Sequence, residues 1–177
     1  MFLETIFNDL YKKYHSDLFN FLYYMVQSRE QAEDLVQEVY IRVLKSYQHF
    51  KGESSEKTWL NAIARNVAID FFRKQKGLNQ RMIKKVEIFD LQVKDESPLP
   101  EEIIFQSEET KLMYRCLEKC TVDQRSVIIL RYIQELSILE TAQVLGWKES
   151  KVKTTQHRAI KQLKTFMNKT LRKEMAG

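Results

Sequence analysis

The sequence predicts an all-α protein made of two small helical domains joined by a flexible linker. Turn-forming residues are sparse, since the 177 residues include only four glycines and two prolines, and a β-rich fold needs many tight turns. Both prolines, Pro98 and Pro100, lie in one stretch with weak apolar periodicity, which is typical of a linker. Hydrophobic residues make up 44% of the chain, enough for a buried core. We therefore expect domains at 1–76 and 108–177 and a linker at 77–107.

Three helices are predicted in the first domain. The first, at about 3–26, is rich in aromatic residues, and the second, at about 29–47, carries an apolar stripe at helical spacing. The third is expected at about 55–76, because a basic last turn followed by Gly77 is a helix stop signal. The polar loop HFKGESSEK joins the second helix to the third.

Four helices are predicted in the second domain. They span about 108–119, the stretch from Thr121 to 134, the stretch from Ser137 to Gly146, and about 149–169. Thr121 with Gln124, and Ser137 with Glu140, have the spacing of a capping box, which marks two helix starts.

The stretch SILETAQVLGWKESKVKTTQHRAIKQL predicts a helix-turn-helix, with a short helix, a glycine turn and a longer basic helix. Ala142 is small where the two helices must cross. Val152, Ala159 and Leu163 fall on the inner side of the second helix, and polar side chains fall on the outer side, where they could contact bases or phosphates in a major groove. The alternative is a basic helix that is merely solvated; the glycine turn, capping box and small crossing residue favour the helix-turn-helix.

The basic charge of the chain is concentrated at its C-terminal end. Residues 1–76 carry a net charge of +1, residues 77–107 carry −2, and residues 108–177 carry +6. A polyanion is therefore the expected partner of the second domain.

The second helix of the first domain presents acidic residues and one apolar residue outward. Its apolar stripe turns inward, which places Asp34, Gln37, Glu38 and Ile41 on the outside. An exposed isoleucine among acids favours a protein-docking patch, although acids near a helix start are also favoured by the helix dipole alone.

Several classes of function are not supported by the sequence. His15, His49 and His157 are far apart, and no phosphate-binding loop, nucleophile elbow or metal-ligand cluster is present, so we expect no catalytic residue, metal, cofactor or small-molecule substrate. Cys116 and Cys120 are four apart, which does not suit a disulfide, so two free thiols in a reducing cytosol are expected. No apolar run approaches the roughly 18 residues that span a bilayer, and the N-terminus lacks the order of a signal peptide. A cytoplasmic protein is expected.

Two separate stretches resemble one family. The stretch DQRSVIILRYIQELSILETAQVLGWKESKVKTTQHRAIKQLK resembles region 4 of the extracytoplasmic-function (ECF) sigma factors of bacterial RNA polymerase. QAEDLVQEVYIRVLKSYQHF and TWLNAIARNVAIDFFRK resemble their region 2, and the sigma-X type is the nearest within the group. The sequence departs from the family pattern at Lys148, where a serine-like cap is usual, and at Thr155, where many members have arginine. A cap without an acceptor is weaker by about 1 kcal/mol.

This resemblance implies that the protein is a promoter-specificity subunit whose partners are core RNA polymerase and promoter DNA. Binding of the polymerase β′ coiled coil is implied for the first-domain patch of Asp34, Gln37, Glu38 and Ile41, and the β flap is a further implied contact of the polymerase. Binding of duplex DNA at the −35 element is implied for Ser150, Lys151, Lys153, Thr154, His157, Arg158 and Lys161. Capture of single-stranded −10 DNA is implied for Phe50, Lys51, Gly52, Ser54, Lys57, Trp59, Asn61, Arg65, Asn66, Arg73 and Lys74.

The sequence leaves an alternative open for the role of Trp59 and for the function of the protein. Trp59 could instead be a core residue beside the second helix, and Asp70 is expected to be structural and to pair with an arginine. Family members are commonly held by a membrane-anchored anti-sigma factor, which is a further expected partner. The alternative function is a stand-alone helix-turn-helix regulator, which would leave the region 2 resemblance unexplained.

Overall fold

The computed structural model describes residues 2–85, 99, 101–104 and 106–177. All regular structure within these residues is helical, and they contain no strand. The predicted all-α class is therefore confirmed.

Three long helices form the N-terminal unit. They are α1 (Phe2–Val26), α2 (Arg29–Ser46) and α3 (Glu56–Lys85), with a 3₁₀ turn at Tyr47–His49 after α2. Each of the three contacts the other two, and their shared core is apolar. Its most deeply buried side chains include Leu18, Phe21, Leu22, Met25, Val39, Leu60, Ala64 and Val67. Ser28 caps α2, since its side chain accepts a hydrogen bond from the Gln31 backbone N–H.

The prediction that the third helix ends at Gly77 is wrong. Helix α3 continues through Gly77 to Lys85. A glycine stops a helix by adopting the left-handed conformation, and among the described glycines only Gly52 and Gly146 have positive φ. The following residues, LNQRMIKK, are mostly good helix formers and contain no proline.

The predicted linker at 77–107 therefore begins inside a helix. Its other end contains the short helix α4 (Glu101–Ile104), which contacts the first helix of the C-terminal unit. Ile103 is 2% exposed and belongs to the core. Residues 86–98, 100 and 105, including both prolines, lie outside the described residues.

The C-terminal unit contains α5 (Glu108–Leu117), α6 (Val122–Ile128), α7 (Ile138–Leu145) and α8 (Glu149–Ala176). Helix α6 continues as a π-helical turn at Ile129–Ile133, and α8 is longer than predicted. Both capping boxes are confirmed, at Thr121 with Gln124 and at Ser137 with Glu140. Gly146 ends α7 in the left-handed conformation, with φ of 68°.

The two units contact each other through hydrogen bonds and through aromatic contacts of Tyr114 with Tyr23 and Tyr24. Helix α3 packs against α7, and α1 packs against α6 and the π-helical turn. The buried guanidinium of Arg125 donates hydrogen bonds to the backbone oxygens of Met25, Leu117 and Glu118. The Gln27 amide donates to the backbone oxygen of Tyr114 at 2.7 Å. Backbone carbonyls are thus the acceptors in each of these hydrogen bonds.

Candidate nucleic-acid interfaces

The second helix of the helix-turn-helix, the N-terminal part of α8, presents one continuous polar face. Its inner side is fixed by Val152, Ala159 and Leu163, which are 0%, 0% and 6% exposed. The seven residues predicted to bind duplex DNA are all exposed: Ser150, Lys151, Lys153, Thr154, His157, Arg158 and Lys161. Helical phase therefore separates the core side from a basic face that suits a phosphate-lined groove.

Residues that the sequence did not single out fix this helix on the rest of the unit. Arg131, from the π-helical turn, donates through Nε to the Gln156 side-chain oxygen at 2.8 Å and through Nη1 to the Leu136 backbone oxygen. The Lys151 ammonium lies 4.0 Å from the centre of the Trp147 ring, a cation–π contact. The sequence signal for this contact was the tryptophan directly after the turn glycine.

Lys148 occupies the N-cap position of α8, as predicted. Its backbone is extended, and no side chain caps the free N–H groups there. Glu149 supplies an acidic residue in the first turn, which interacts favourably with the helix dipole.

The loop before α3 contains an open pocket of about 180 Å³. It is lined by His49, Phe50, Lys51, Glu53, Ser54 and Trp59. The Trp59 ring lies 4.7 Å from Phe50 and 6.1 Å from Tyr47 between ring centres. Trp59 is therefore a partly buried packing residue that also forms a wall of the pocket, and its contact with DNA stays a prediction.

Three residues predicted to bind single-stranded DNA interact with other parts of the protein. Lys57 donates through Nζ to the Gln134 backbone oxygen at 2.9 Å, and Arg65 lies 3.5 Å from an Asp123 carboxylate oxygen. Asn61 is 1% exposed and donates to the Lys57 backbone oxygen. Lys57 and Arg65 therefore contact the C-terminal unit, and Asn61 cannot reach a ligand in this arrangement. The assignment of Asn61 to −10 DNA stays a prediction.

The remaining members of that set are accessible to different degrees. Lys51, Gly52, Asn66, Arg73 and Lys74 are exposed, whereas Phe50 and Ser54 are half-buried in the pocket. Gly52 has φ of 71°, a backbone conformation that residues other than glycine rarely adopt. The pocket and the exposed basic residues after it together form a surface that could hold a base and its backbone phosphates.

The acidic patch on α2 is accessible. Asp34, Gln37 and Ile41 are exposed, and Glu38 is partly so. Arg42 donates to Glu38 at 3.1 Å and to Asp70 at 2.9 Å, which confirms the predicted pairing of Asp70 with an arginine. Burial alone lowers the pKa of Arg42, but the hydrogen bonds to Asp70 and Glu38 outweigh it and raise that pKa.

The C-terminal unit also carries an apolar groove of about 320 Å³ that the sequence did not indicate. Its apolar walls come from α5, the α6 region and α8, which explains why no single stretch revealed it. They are Met113, Ile128, Tyr132, Ile160, Leu163 and Met167.

The described part of the chain contains neither a metal-binding cluster nor a membrane-spanning helix. Its histidine, cysteine, aspartate and glutamate residues form no group of three or more that could hold a metal ion. No helix in that part has the length and apolarity needed to cross a membrane.

Comparison with known proteins gives two family matches. Residues 10–77 match Sigma-70 region 2, and residues 110–163 match Sigma-70, region 4. The chain is 53% identical to the ECF RNA polymerase sigma factor SigX of Bacillus subtilis, with 98% of this chain and 89% of that protein covered. It is 35% identical to the RNA polymerase sigma factor YlaC of the same organism, with 94% of each covered.

Solved structures agree on the fold. The sigma factor RpoE from Bartonella quintana, in complex with the anti-sigma factor NepR, matches with a TM-score of 0.70 and 23% identity, covering 92% of this chain and 96% of that one. CnrH, in complex with the cytosolic domain of CnrY, matches with a TM-score of 0.68 and 19% identity, covering 93% and 89%.

Proposed function

The chain belongs to the ECF sigma factors of bacterial RNA polymerase, and from this premise we propose how its surfaces divide the work of transcription initiation. As a sigma factor it directs core polymerase to specific promoters. The presence of a region 2 match beside the region 4 match rules against a stand-alone helix-turn-helix regulator. We propose that RNA synthesis belongs to the core enzyme alone and that this protein acts in the cytoplasm.

The exposed face of α8 is proposed to bind the −35 duplex. The observation that carries this assignment is that all seven candidate residues share one exposed face of a helix whose other side is buried in the unit. Lysine and arginine would contact phosphates or guanine edges, and Thr154 and His157 would contact base edges.

The loop pocket beside Trp59 is proposed to hold an unpaired base of the −10 strand. Its wall contains the Phe50 and Trp59 rings, and Lys51 lies at its edge. Base stacking on an aromatic ring contributes about 1–3 kcal/mol and could help keep a base out of the duplex. Asn66, Arg73 and Lys74 would contact the strand along α3.

Full contact with the −10 strand requires the two units to separate in this proposal. Lys57 and Arg65 are engaged by Gln134 and Asp123 of the C-terminal unit. Interfaces between domains of one chain are often transient. We therefore keep the division into domains at 1–76 and 108–177 as functional, although α3 extends beyond its first boundary.

Core polymerase is proposed to bind both units. Asp34, Gln37, Glu38 and Ile41 would bind the β′ coiled coil, where acidic residues favour a basic partner. The apolar groove of the C-terminal unit would receive the β flap, because an apolar depression of that size suits an inserted helix.

An anti-sigma factor is proposed as the regulator. RpoE and CnrH, which share the fold, were solved with the anti-sigma factor NepR and with the cytosolic domain of CnrY. We propose that this chain is likewise held by an anti-sigma factor, and that the factor is membrane-anchored.

Transcription in vitro tests the proposed function. Purified core polymerase would transcribe genomic DNA with and without this protein, and start sites would be mapped. We expect a set of start sites that depends on the protein and that share −35 and −10 sequences. Unchanged start sites, together with tight duplex binding in the absence of polymerase, would return the stand-alone regulator as the better explanation.

A further inference from the structure

The last turns of α8 extend beyond both the matched region 4 and the packed part of the unit. Region 4 matches residues 110–163, whereas α8 continues to Ala176. Thr170 is the last half-buried residue of the helix, and residues 171–177 are all exposed. We name residues 168–176 the α8 tail. None of the surfaces described above includes these residues.

Two apolar side chains of the α8 tail are exposed to water. Leu171 is 44% exposed, and Met175, at 88%, is the most exposed large hydrophobic residue of the described chain. They are four residues apart, so they lie on the same side of the helix. Because every side chain from Leu171 onward is exposed, these turns gain little from tertiary packing, and a short helical segment is only marginally stable without it. The apolar side of the tail would therefore be stabilised by a partner.

A basic side lies next to this apolar pair. Lys169 is followed by Arg172 and Lys173 at i+3 and i+4, so the three cations are neighbours on the helix surface. All three are exposed. Glu174 is the one acidic residue of the tail, which leaves it a net charge of +2. The tail thus combines an apolar side with a basic side, as helices that lie on anionic lipid surfaces do.

From this combination we propose that the α8 tail binds the surface of an anionic phospholipid membrane. Leu171 and Met175 enter the boundary between the headgroups and the acyl chains, and the three cations contact the lipid phosphates. The helix lies in the plane of the surface and does not cross the bilayer. Binding is weak and reversible, because only two apolar side chains leave water.

Duplex DNA fits the tail less well than lipid does. The proposed −35 face ends at Lys161, and Leu171 lies about 15 Å farther along the helix axis, at a rise of about 1.5 Å per residue. That distance exceeds the width of a major groove, which is about 12 Å. A phosphate backbone would also leave Leu171 and Met175 exposed to water.

A protein partner and a second copy of this chain also fit less well. A stable protein interface buries about 800 Å² on each side, and the tail offers only two apolar side chains. A symmetric contact between two tails would bring the same cations face to face. A lipid surface needs no matching shape, so it suits a short helical segment that stands clear of its own unit.

Vesicle flotation of the whole protein tests this proposal. Vesicles of equal parts phosphatidylglycerol and phosphatidylcholine are compared with vesicles of phosphatidylcholine alone, over a range of lipid concentrations. Leu171→Ser/Met175→Ser removes the apolar contact, and Arg172→Ala/Lys173→Ala removes two of the cations. Circular dichroism checks that each variant is folded. Flotation needs neither polymerase nor an anti-sigma factor, so its outcome is independent of the proposed function.

Two control variants match these changes elsewhere in the protein. Leu139→Ser changes an α7 leucine that is 55% exposed. Lys153→Ala/Arg158→Ala removes two exposed cations from the −35 face of the same helix, which separates binding by the tail from general attraction of basic residues to anionic lipid.

We expect the protein to float with the anionic vesicles and not with phosphatidylcholine alone. Leu171→Ser/Met175→Ser should need about tenfold more lipid for half-maximal binding. Arg172→Ala/Lys173→Ala should weaken binding mainly at low salt, and both controls should bind like the unmodified protein. Absence of flotation, unchanged binding by the apolar double variant, or an equal loss in either control would overturn the proposal.

Binding to −35 duplex DNA and to core polymerase is measured for the same tail variants. Both affinities are expected to stay unchanged, because the tail lies outside the surfaces proposed for these partners. Weakened binding to DNA or polymerase, with unchanged flotation, would assign the tail to that partner and overturn membrane binding.

Discussion

Arg125 of α6 donates a hydrogen bond to the backbone carbonyl oxygen of Met25 in the last turn of α1, which links the two units. Arg125 is 7% exposed, and burial lowers the pKa of its guanidinium. The acceptors of its hydrogen bonds are backbone carbonyls. A buried cation without a bonded carboxylate is costly to desolvate, so separating the units would return hydration to this group.

Asp123→Arg should favour the open arrangement, because it replaces the carboxylate beside Arg65 with a second cation. We expect a larger radius of gyration by small-angle X-ray scattering and about fivefold tighter binding to the single non-template strand of a mapped promoter. Glu174→Arg, near the exposed end of α8, is the matched control for the charge change. An unchanged radius and unchanged strand affinity would show that the closed interface does not limit DNA binding.

Lys153→Ala and Arg158→Ala should each weaken use of promoters that depend on the −35 element. Each substitution removes one exposed cation from the basic face of α8. If the side chain contacts a base, we expect the binding free energy to weaken by about 1–3 kcal/mol; if it contacts a phosphate, we expect the salt dependence of binding to decrease. Reconstituted transcription and duplex binding at several salt concentrations distinguish the two roles. Lys169→Ala, farther along the same helix, is the control. Unchanged promoter use would remove the recognition assignment.

The helix-turn-helix was predictable because its signals are local. Capping boxes, the turn glycine and the inner positions Val152 and Ala159 lie within one short stretch. The end of α3 was not predictable from Gly77. A glycine commonly ends a helix by adopting the left-handed conformation, and Gly77 instead stays within the helix. The sequence also could not show that Lys57 and Arg65 contact the C-terminal unit, because their partners, Gln134 and Asp123, are distant in the chain.

Surfaces assembled from several helices were missed for the same reason. The apolar groove takes residues from α5, the α6 region and α8, and a depression between α1 and α2 joins Leu3 to Leu44. Each contributing residue fits an ordinary amphipathic pattern in its own helix. Only the packing of the helices brings these side chains together.

Trp59→Leu should impair strand opening while leaving binding to the −35 duplex intact. The substitution removes an aromatic wall of the loop pocket, with an expected loss of about 1–3 kcal/mol for one stacked base. Permanganate reactivity of unpaired thymines measures opening, and a template with a pre-opened −10 region should restore transcription.

Tyr47→Leu is the matched control for that change, because Tyr47 packs on Trp59 without lining the pocket. It should reduce stability and leave strand opening nearly unchanged in the folded protein. Equal defects in both variants, or no rescue by the pre-opened template, would assign Trp59 to packing alone.

Lys148→Ser should stabilise the C-terminal unit. Lys148 has the extended backbone of an N-cap but supplies no side-chain acceptor. A serine hydroxyl there would accept from the Lys151 backbone N–H, which in this structure donates to the Lys148 backbone oxygen at 3.1 Å. The expected gain is about 1 kcal/mol, equivalent to a rise of roughly 2–4 °C in the unfolding temperature. Lys148→Ala separates the cap from the lost charge and should not raise stability. Equal unfolding temperatures for the serine and alanine variants would contradict the capping explanation.

The stability of the protein should fall in alkaline solution. Burial raises the pKa of the Cys116 and Cys120 thiols and of the Tyr40 and Tyr114 phenols. The unfolded chain therefore loses these protons first, at the usual values of about 8.5 for cysteine and about 10 for tyrosine. Above those values the folded state holds more protons than the unfolded state, so the free energy of unfolding decreases as pH rises.

Urea unfolding between about pH 7 and pH 10 measures this dependence, with a slope of up to about 1.4 kcal/mol per pH unit for each group that titrates only in the unfolded chain. Cys116→Ala/Cys120→Ala should flatten the part of the curve that begins near pH 8.5 and leave the tyrosine part unchanged. The same raised pKa values keep both thiols protonated near neutral pH, so alkylation of the folded protein should be slow until urea exposes them. A curve that stays flat to pH 10, or rapid alkylation without urea, would mean that these groups are accessible to water.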